Sequence, residues 1–76
     1  MKRLTEFRPG ERCRVAQLGG ERAFRRRLME LGLLPGTPVR FVRRVDIGGL
    51  VELEVRGTHV SLRGSEANEL LFEPER

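Results

Sequence analysis

The 76 residues carry fifteen Lys/Arg against eleven Asp/Glu, a net charge of +4, with four Phe and neither Trp nor Tyr. A chain of this length holds one domain, spanning 1–76, with a core of mostly Val and Leu and no room for a large catalytic cleft. The lone Cys13 excludes an intrachain disulfide, and one Cys with one His falls short of a four-ligand Cys/His zinc site. No run approaches the roughly 20 apolar residues that span a bilayer, and Met1-Lys2-Arg3 leads into no signal-peptide core, so a soluble chain is expected.

Leu4-Thr5-Glu6-Phe7 has apolar residues three apart, enough for one turn of helix, and Pro9-Gly10 ends it. From Arg12 to Leu18, Cys13 and Val15 alternate with Arg12 and Arg14, which predicts a strand with Cys13 facing inward, broken by Gly19-Gly20. A helix follows over about Glu21 to Leu31. Phe24, Leu28 and Leu31 share its inner face, while Arg22, Arg25, Arg26 and Met29 point elsewhere. Glu21 favours the positive end of its dipole. Gly32 supplies a left-handed C-terminal cap, and Leu34-Pro35-Gly36-Thr37 has the Pro and Gly of a type II turn.

Val39 and Phe41 then alternate with Arg40, Val42 breaks the phase, and Val45 resumes it, which predicts a bulged strand. Asp46-Ile47-Gly48-Gly49 reads as a hairpin loop. Val51, Leu53 and Val55 alternate with Glu52, Glu54 and Arg56, so this strand has one buried and one wet face. After a turn at Gly57-Thr58, Val60 and Leu62 face inward and His59, Ser61 and Arg63 outward. Gly64 to Asn68 has room for one helical turn with Ser65 as N-cap, and Glu69 to Glu73 forms a closing strand with Leu70 and Phe72 inward and Pro74 as its stop. The sum is mainly β: a small five-stranded SH3-like barrel with one inserted α-helix and short helical turns, in which closure of the sheet protects its edges.

Charge is unevenly spread. Residues 1 to 44 carry twelve Lys/Arg against four Asp/Glu, and residues 45 to 76 carry three against seven. Such a dipole steers a partner or stacks copies head to tail, unless folding interleaves the halves and erases it.

The order Leu4, Phe7, Gly10, Val15, then Arg27-Leu28-Met29-Glu30-Leu31-Gly32-Leu33-Leu34-Pro35-Gly36-Thr37, then Gly48-Gly49, Val55-Arg56-Gly57, Ser61-Leu62-Arg63 and Glu66-Ala67 resembles the FeoA family, over nearly the whole chain. That resemblance implies an SH3-like barrel and a non-enzymatic, cytoplasmic accessory of bacterial ferrous iron uptake. Its implied partner is FeoB, the membrane transporter for Fe²⁺ with a cytosolic GTP-hydrolysing domain, and a peripheral position at the inner membrane is expected through that partner. Similar domains close iron-dependent repressors of the DtxR type, behind DNA-binding and dimerisation domains that have no counterpart here. Cys13, Arg8, Arg12 and Arg14 lie outside the family pattern, and no role is carried onto them.

The partner-binding candidates are Arg22, Arg25, Arg26 and Met29, neighbours at i, i+3, i+4 and i+7 on the outer helix face, with Leu33 and Leu34 as an apolar step beyond it. The alternative is that these arginines are merely solvated, that Met29 caps the core edge and that both leucines are covered. An exposed pair would extend the docking patch or drive homo-oligomer formation.

Metal ligation has one candidate group, Glu52, Glu54 and His59 across one hairpin, but these residues read better as a wet face paired with Arg56 and Arg63. No resident cofactor and at most weak Fe²⁺ binding are expected. Catalysis lacks a Ser/His/Asp or Cys/His grouping, and Gly48-Gly49 is not a phosphate-cradling loop. A small basic nucleic-acid-binding barrel is the alternative from another class, disfavoured because Phe7, Phe24, Phe41 and Phe72 all fall on core faces and leave no stacking platform. A stand-alone metal-sensing module is a third, disfavoured by the missing DNA-reading helix pair.

Overall fold

The structure, a computed structural model, describes residues 1–45 and 49–75. Its elements are a 3₁₀ turn at Leu4–Glu6, then β1 (Arg12–Leu18), α1 (Arg22–Glu30), β2 (Pro38–Val45), β3 (Leu50–Val55), β4 (Thr58–Arg63), a one-turn helix α2 (Gly64–Ala67) and β5 (Leu70–Pro74). The five strands form a single antiparallel sheet in the order β4-β3-β2-β1-β5. The Asp46–Gly49 hairpin loop expected from the sequence lies, Gly49 excepted, outside the described residues. Among the described residues, no helix is long and apolar enough to cross a membrane.

Alternation holds where one face of a strand is buried. Cys13 and Val15 of β1, Val39 and Phe41 of β2, Val51, Leu53 and Val55 of β3, Val60 and Leu62 of β4, and Leu70 and Phe72 of β5 all enter one core. Leu4 and Phe7 plug it from the first turn, and the Phe7 ring meets Phe72 edge to face at 6.3 Å. The phase break at Val42 is a bulge, because the β2–β3 register shifts between Phe41 and Arg43. Val45, past the bulge, is only half-buried.

Closure differs from a fully paired barrel. The end strands β4 and β5 are not neighbours in the hydrogen-bonded order, and a bridge to the N-terminal segment occupies the edge of β5. Lys2 exchanges two 2.7 Å backbone hydrogen bonds with Phe72 on the edge of β5. In the last turn of α1, Arg27 pairs with Glu66 of α2, and just past the helix a side chain at Gly32 would come within 3.6 Å of Val55 Cγ1, the residue that opposes Thr58. The buried Leu28 ties the helix to the core.

The basic and acidic halves interleave. β2 comes from the basic half and pairs with β3 of the acidic half, setting Arg40 against Glu54 at 3.1 Å and Arg43 against Glu52 at 3.2 Å. These are the partners of the two glutamates, rather than the expected Arg56 and Arg63. β2 supplies them because the sheet order puts it beside β3 on the side opposite β4.

Candidate functional site

The helix carrying the predicted docking residues is anchored at its C-terminal end. Glu21 stands at its N-cap, and its C-terminus closes in a Schellman motif: the Leu33 N–H donates to the Leu28 carbonyl at 2.9 Å and the Gly32 N–H to that of Met29 at 3.0 Å. Gly32 takes φ +94°, the left-handed conformation that this reversal needs. The type II turn follows as expected, with Gly36 at φ +90° and the Thr37 N–H bonded to the Leu34 carbonyl at 2.9 Å.

This reversal redistributes the leucines. Leu31 was expected in the core, but it is the C-cap residue, one past the last helical position, and is 43% exposed. Leu33 takes the place beside Leu28 and is fully buried, so it belongs to the core and leaves the docking set. Leu34 is 42% exposed and Met29 44%. Three large apolar side chains, Met29, Leu31 and Leu34, therefore stand in water at the C-terminal end of α1. Leu31 was missed because helical periodicity was carried one residue too far, across the cap signalled by Gly32.

The helix arginines divide in the same way. Arg27 belongs to folding: its guanidinium meets the Glu66 carboxylate and lies 5.5 Å from the centre of the half-buried Phe24 ring. The other Glu66 oxygen accepts the Arg63 backbone N–H at 2.9 Å. That bond and the Arg27 pairing hold the Glu66 carboxyl below its ordinary pKa. Arg63, not Ser65, is the N-cap residue of α2, because Glu66 caps the turn by reaching back. Arg22, Arg25 and Arg26 are exposed and, among the described residues, make no side-chain hydrogen bond or ion pair.

Of the metal candidates, Glu54 and His59 meet, and both glutamates are already engaged. Glu54 Oε1 accepts from Arg40 Nε at 3.1 Å, its Oε2 lies 3.4 Å from His59 Nε2, and Glu52 is paired with Arg43. The Arg40 hydrogen bond is the main reason that the Glu54 pKa is lowered. Among the described residues, no group of three or more His, Cys, Asp or Glu is placed to hold a metal ion. Cys13 is fully buried, and burial, then the charges of Glu11 and Glu75, push its thiol pKa up to about 11.

Solved structures share this arrangement. The FeoA protein of Chlorobium tepidum superposes with a TM-score of 0.89 at 31% identity, over 97% of this chain and 70% of that one. A FeoA-like protein of Clostridium acetobutylicum gives 0.80 at 30%, over 96% of this chain and 85% of that one. The repressor ScaR, solved with bound Cd²⁺, shares the fold at 0.86 and 24% identity; the match covers 99% of this chain but only 35% of ScaR. No curated protein matches the chain. The FeoA domain model matches residues 2–74. With nearly every residue inside that match and the same SH3-like sheet in FeoA proteins, the chain belongs to the FeoA family, which is associated with iron transport.

Proposed function

We propose that this chain is a non-enzymatic, cytoplasmic accessory of ferrous iron uptake that docks on the cytosolic GTP-hydrolysing part of a FeoB-type transporter and modulates Fe²⁺ transport. One observation carries the reading: α1 spends Arg27 on folding and presents Arg22, Arg25 and Arg26 unpaired, with Met29, Leu31 and Leu34 exposed at its end. Arginine and methionine at such a surface suit a protein partner with an acidic rim and an apolar centre. Iron is cargo for the transporter in this reading, since Glu54, beside His59, is held by Arg40, and Glu52 by Arg43. The buried Phe7, Phe41 and Phe72 leave nucleic acid without those rings to stack on, which favours a protein partner.

The test is capture of the FeoB cytosolic domain by the purified chain. Arg25→Glu with Arg26→Glu abolishes capture at unchanged melting temperature, and Leu34→Ala weakens it. Unchanged binding in the double variant sinks the proposal.

A further inference from the structure

β1, β2 and the β3–β4 hairpin bring three arginines to one cleft of about 330 Å³, none of whose lining residues belongs to α1. Arg12 and Arg40 are direct cross-strand partners. Arg56 is the first of two central residues in the hairpin turn from Val55 to Thr58. Glu54 and Glu75 stand on the walls.

Two features of this cleft are unfavourable for folding, and they are independent of each other. Like charges directly opposed in an antiparallel pair repel, and Arg12 faces Arg40. The hairpin turn has both central residues at positive φ, Arg56 at +52° and Gly57 at +81°. This is the type I′ pattern, whose first position selects Asn, Asp or Gly because a longer side chain is strained there. Arg56 is the one non-glycine at positive φ among the described residues. Backbone strain of this kind marks functional positions when the strained side chain joins a site.

The guanidinium groups are also short of acceptors. Among the described residues, the side chains of Arg12 and Arg56 make no hydrogen bond or ion pair, and Arg40 commits only its Nε, to Glu54, leaving both Nη groups. Glu54 is turned to Arg40 and His59, so its charge is largely met. Glu75 is held by its backbone, whose N–H donates to the Arg12 carbonyl at 3.3 Å.

We propose that Arg12, Arg40 and Arg56 form a binding site for a phosphate group, carried by a soluble phosphate ester or by a lipid headgroup. Each guanidinium presents a planar fork of donors that matches an oxyanion edge. A carboxylate has two oxygens and is met by one or two partners, as Glu54 is by Arg40 and His59; the three terminal oxygens of a phosphate give three arginines on three elements something to share. The bound dianion removes the Arg12–Arg40 repulsion and gives the strained Arg56 its purpose. Glu75 opposes it and keeps binding modest.

The experiment follows the arginine Nε–Hε signals by NMR during titration with inorganic phosphate, at ionic strength held constant against acetate. Saturable shifts at Arg12, Arg40 and Arg56 are expected. Arg56→Asn restores a favoured type I′ turn, so it raises the melting temperature while weakening phosphate binding about tenfold, the loss of roughly one charged hydrogen bond. Glu75→Gln tightens binding. Phosphatidylcholine vesicles containing phosphatidic acid separate the sources: vesicle binding lost in Arg56→Asn identifies a headgroup, and phosphate binding without vesicle binding identifies a soluble ester. Arginine signals unmoved by phosphate, or equal phosphate affinity in wild type and Arg56→Asn, overturn the site.

Discussion

Leu33 donates its backbone N–H to the carbonyl of Leu28 across 2.9 Å, and both side chains are completely buried. Stopping the helix and filling the core beneath it are therefore one structural event. Leu28→Ala and Leu33→Ala are each expected to cost about 2–5 kcal/mol, the range for emptying a close-packed leucine site. Leu34→Ala, next in the chain but exposed, is expected to change stability by less than about 0.5 kcal/mol. Urea denaturation of the three variants checks this, and a loss at Leu34 as large as that at Leu33 contradicts it.

Gly32 gives a cleaner test of conformational cost. A methyl group there meets Val55 Cγ1 at an ordinary 3.6 Å, so space is not the obstacle, whereas φ +94° is. Gly32→Ala should lose about 1–2 kcal/mol. Chemical synthesis with D-alanine at position 32 should recover that loss, since the mirror-image residue accepts positive φ. Equal destabilisation by both enantiomers points to packing instead.

Acid should loosen the joint between α1 and α2. The Glu66 carboxyl is held below its ordinary pKa first by the Arg63 N–H and then by Arg27, and Glu54 by Arg40. A folded-state pKa below the unfolded one means that the contribution is present above the ordinary carboxylate value of about 4.3 and is lost as pH falls through the lowered value. The melting temperature should be flat from neutrality to about pH 5 and decline below it. Glu66→Gln should be less stable at pH 7 and decline less steeply in acid; a parallel decline rules Glu66 out as a contributor.

Alkali should act through Cys13. Its pKa rises from 9.0 in the unfolded reference to about 11 when folded. Folding therefore favours the neutral thiol: the contribution is intact below pH 9 and is lost as pH climbs toward 11. With no Tyr and a single Lys in the sequence, few other groups titrate there. Cys13→Ala should lose stability at neutral pH yet show a shallower fall above pH 9. Iodoacetamide should label the wild-type thiol only under unfolding conditions, and prompt labelling of the folded protein contradicts its burial.

The strands were legible because each has one wet face, so period-two alternation survives from Val51 to Val55 and from Val60 to Leu62. The Val42 irregularity showed as a bulge for the same reason. Leu31 and Leu33 were misassigned because helical periodicity says nothing about which residue returns to the core after a left-handed cap. The partners of Glu52 and Glu54 were misassigned because pairing depends on strand order, and only the sheet places Arg40 and Arg43 beside them. The role of Arg27 was invisible for a related reason, since Glu66 reaches it through tertiary structure. Of the docking set, Arg22, Arg25, Arg26, Met29 and Leu34 are exposed, and Leu31 joins them.

Strand β1 pairs with β2 on one side and β5 on the other, so Val15 lies opposite Phe72. An element made early in synthesis must wait for one made late before both of its hydrogen-bonding edges are satisfied. Such non-local pairing slows folding, because loop closure is paid for before any contact rewards it. On the ribosome, the Cys13–Val15 segment stays without its second neighbour until residues 70–74 emerge, and a destabilised β5 would leave that edge open to intermolecular strand pairing.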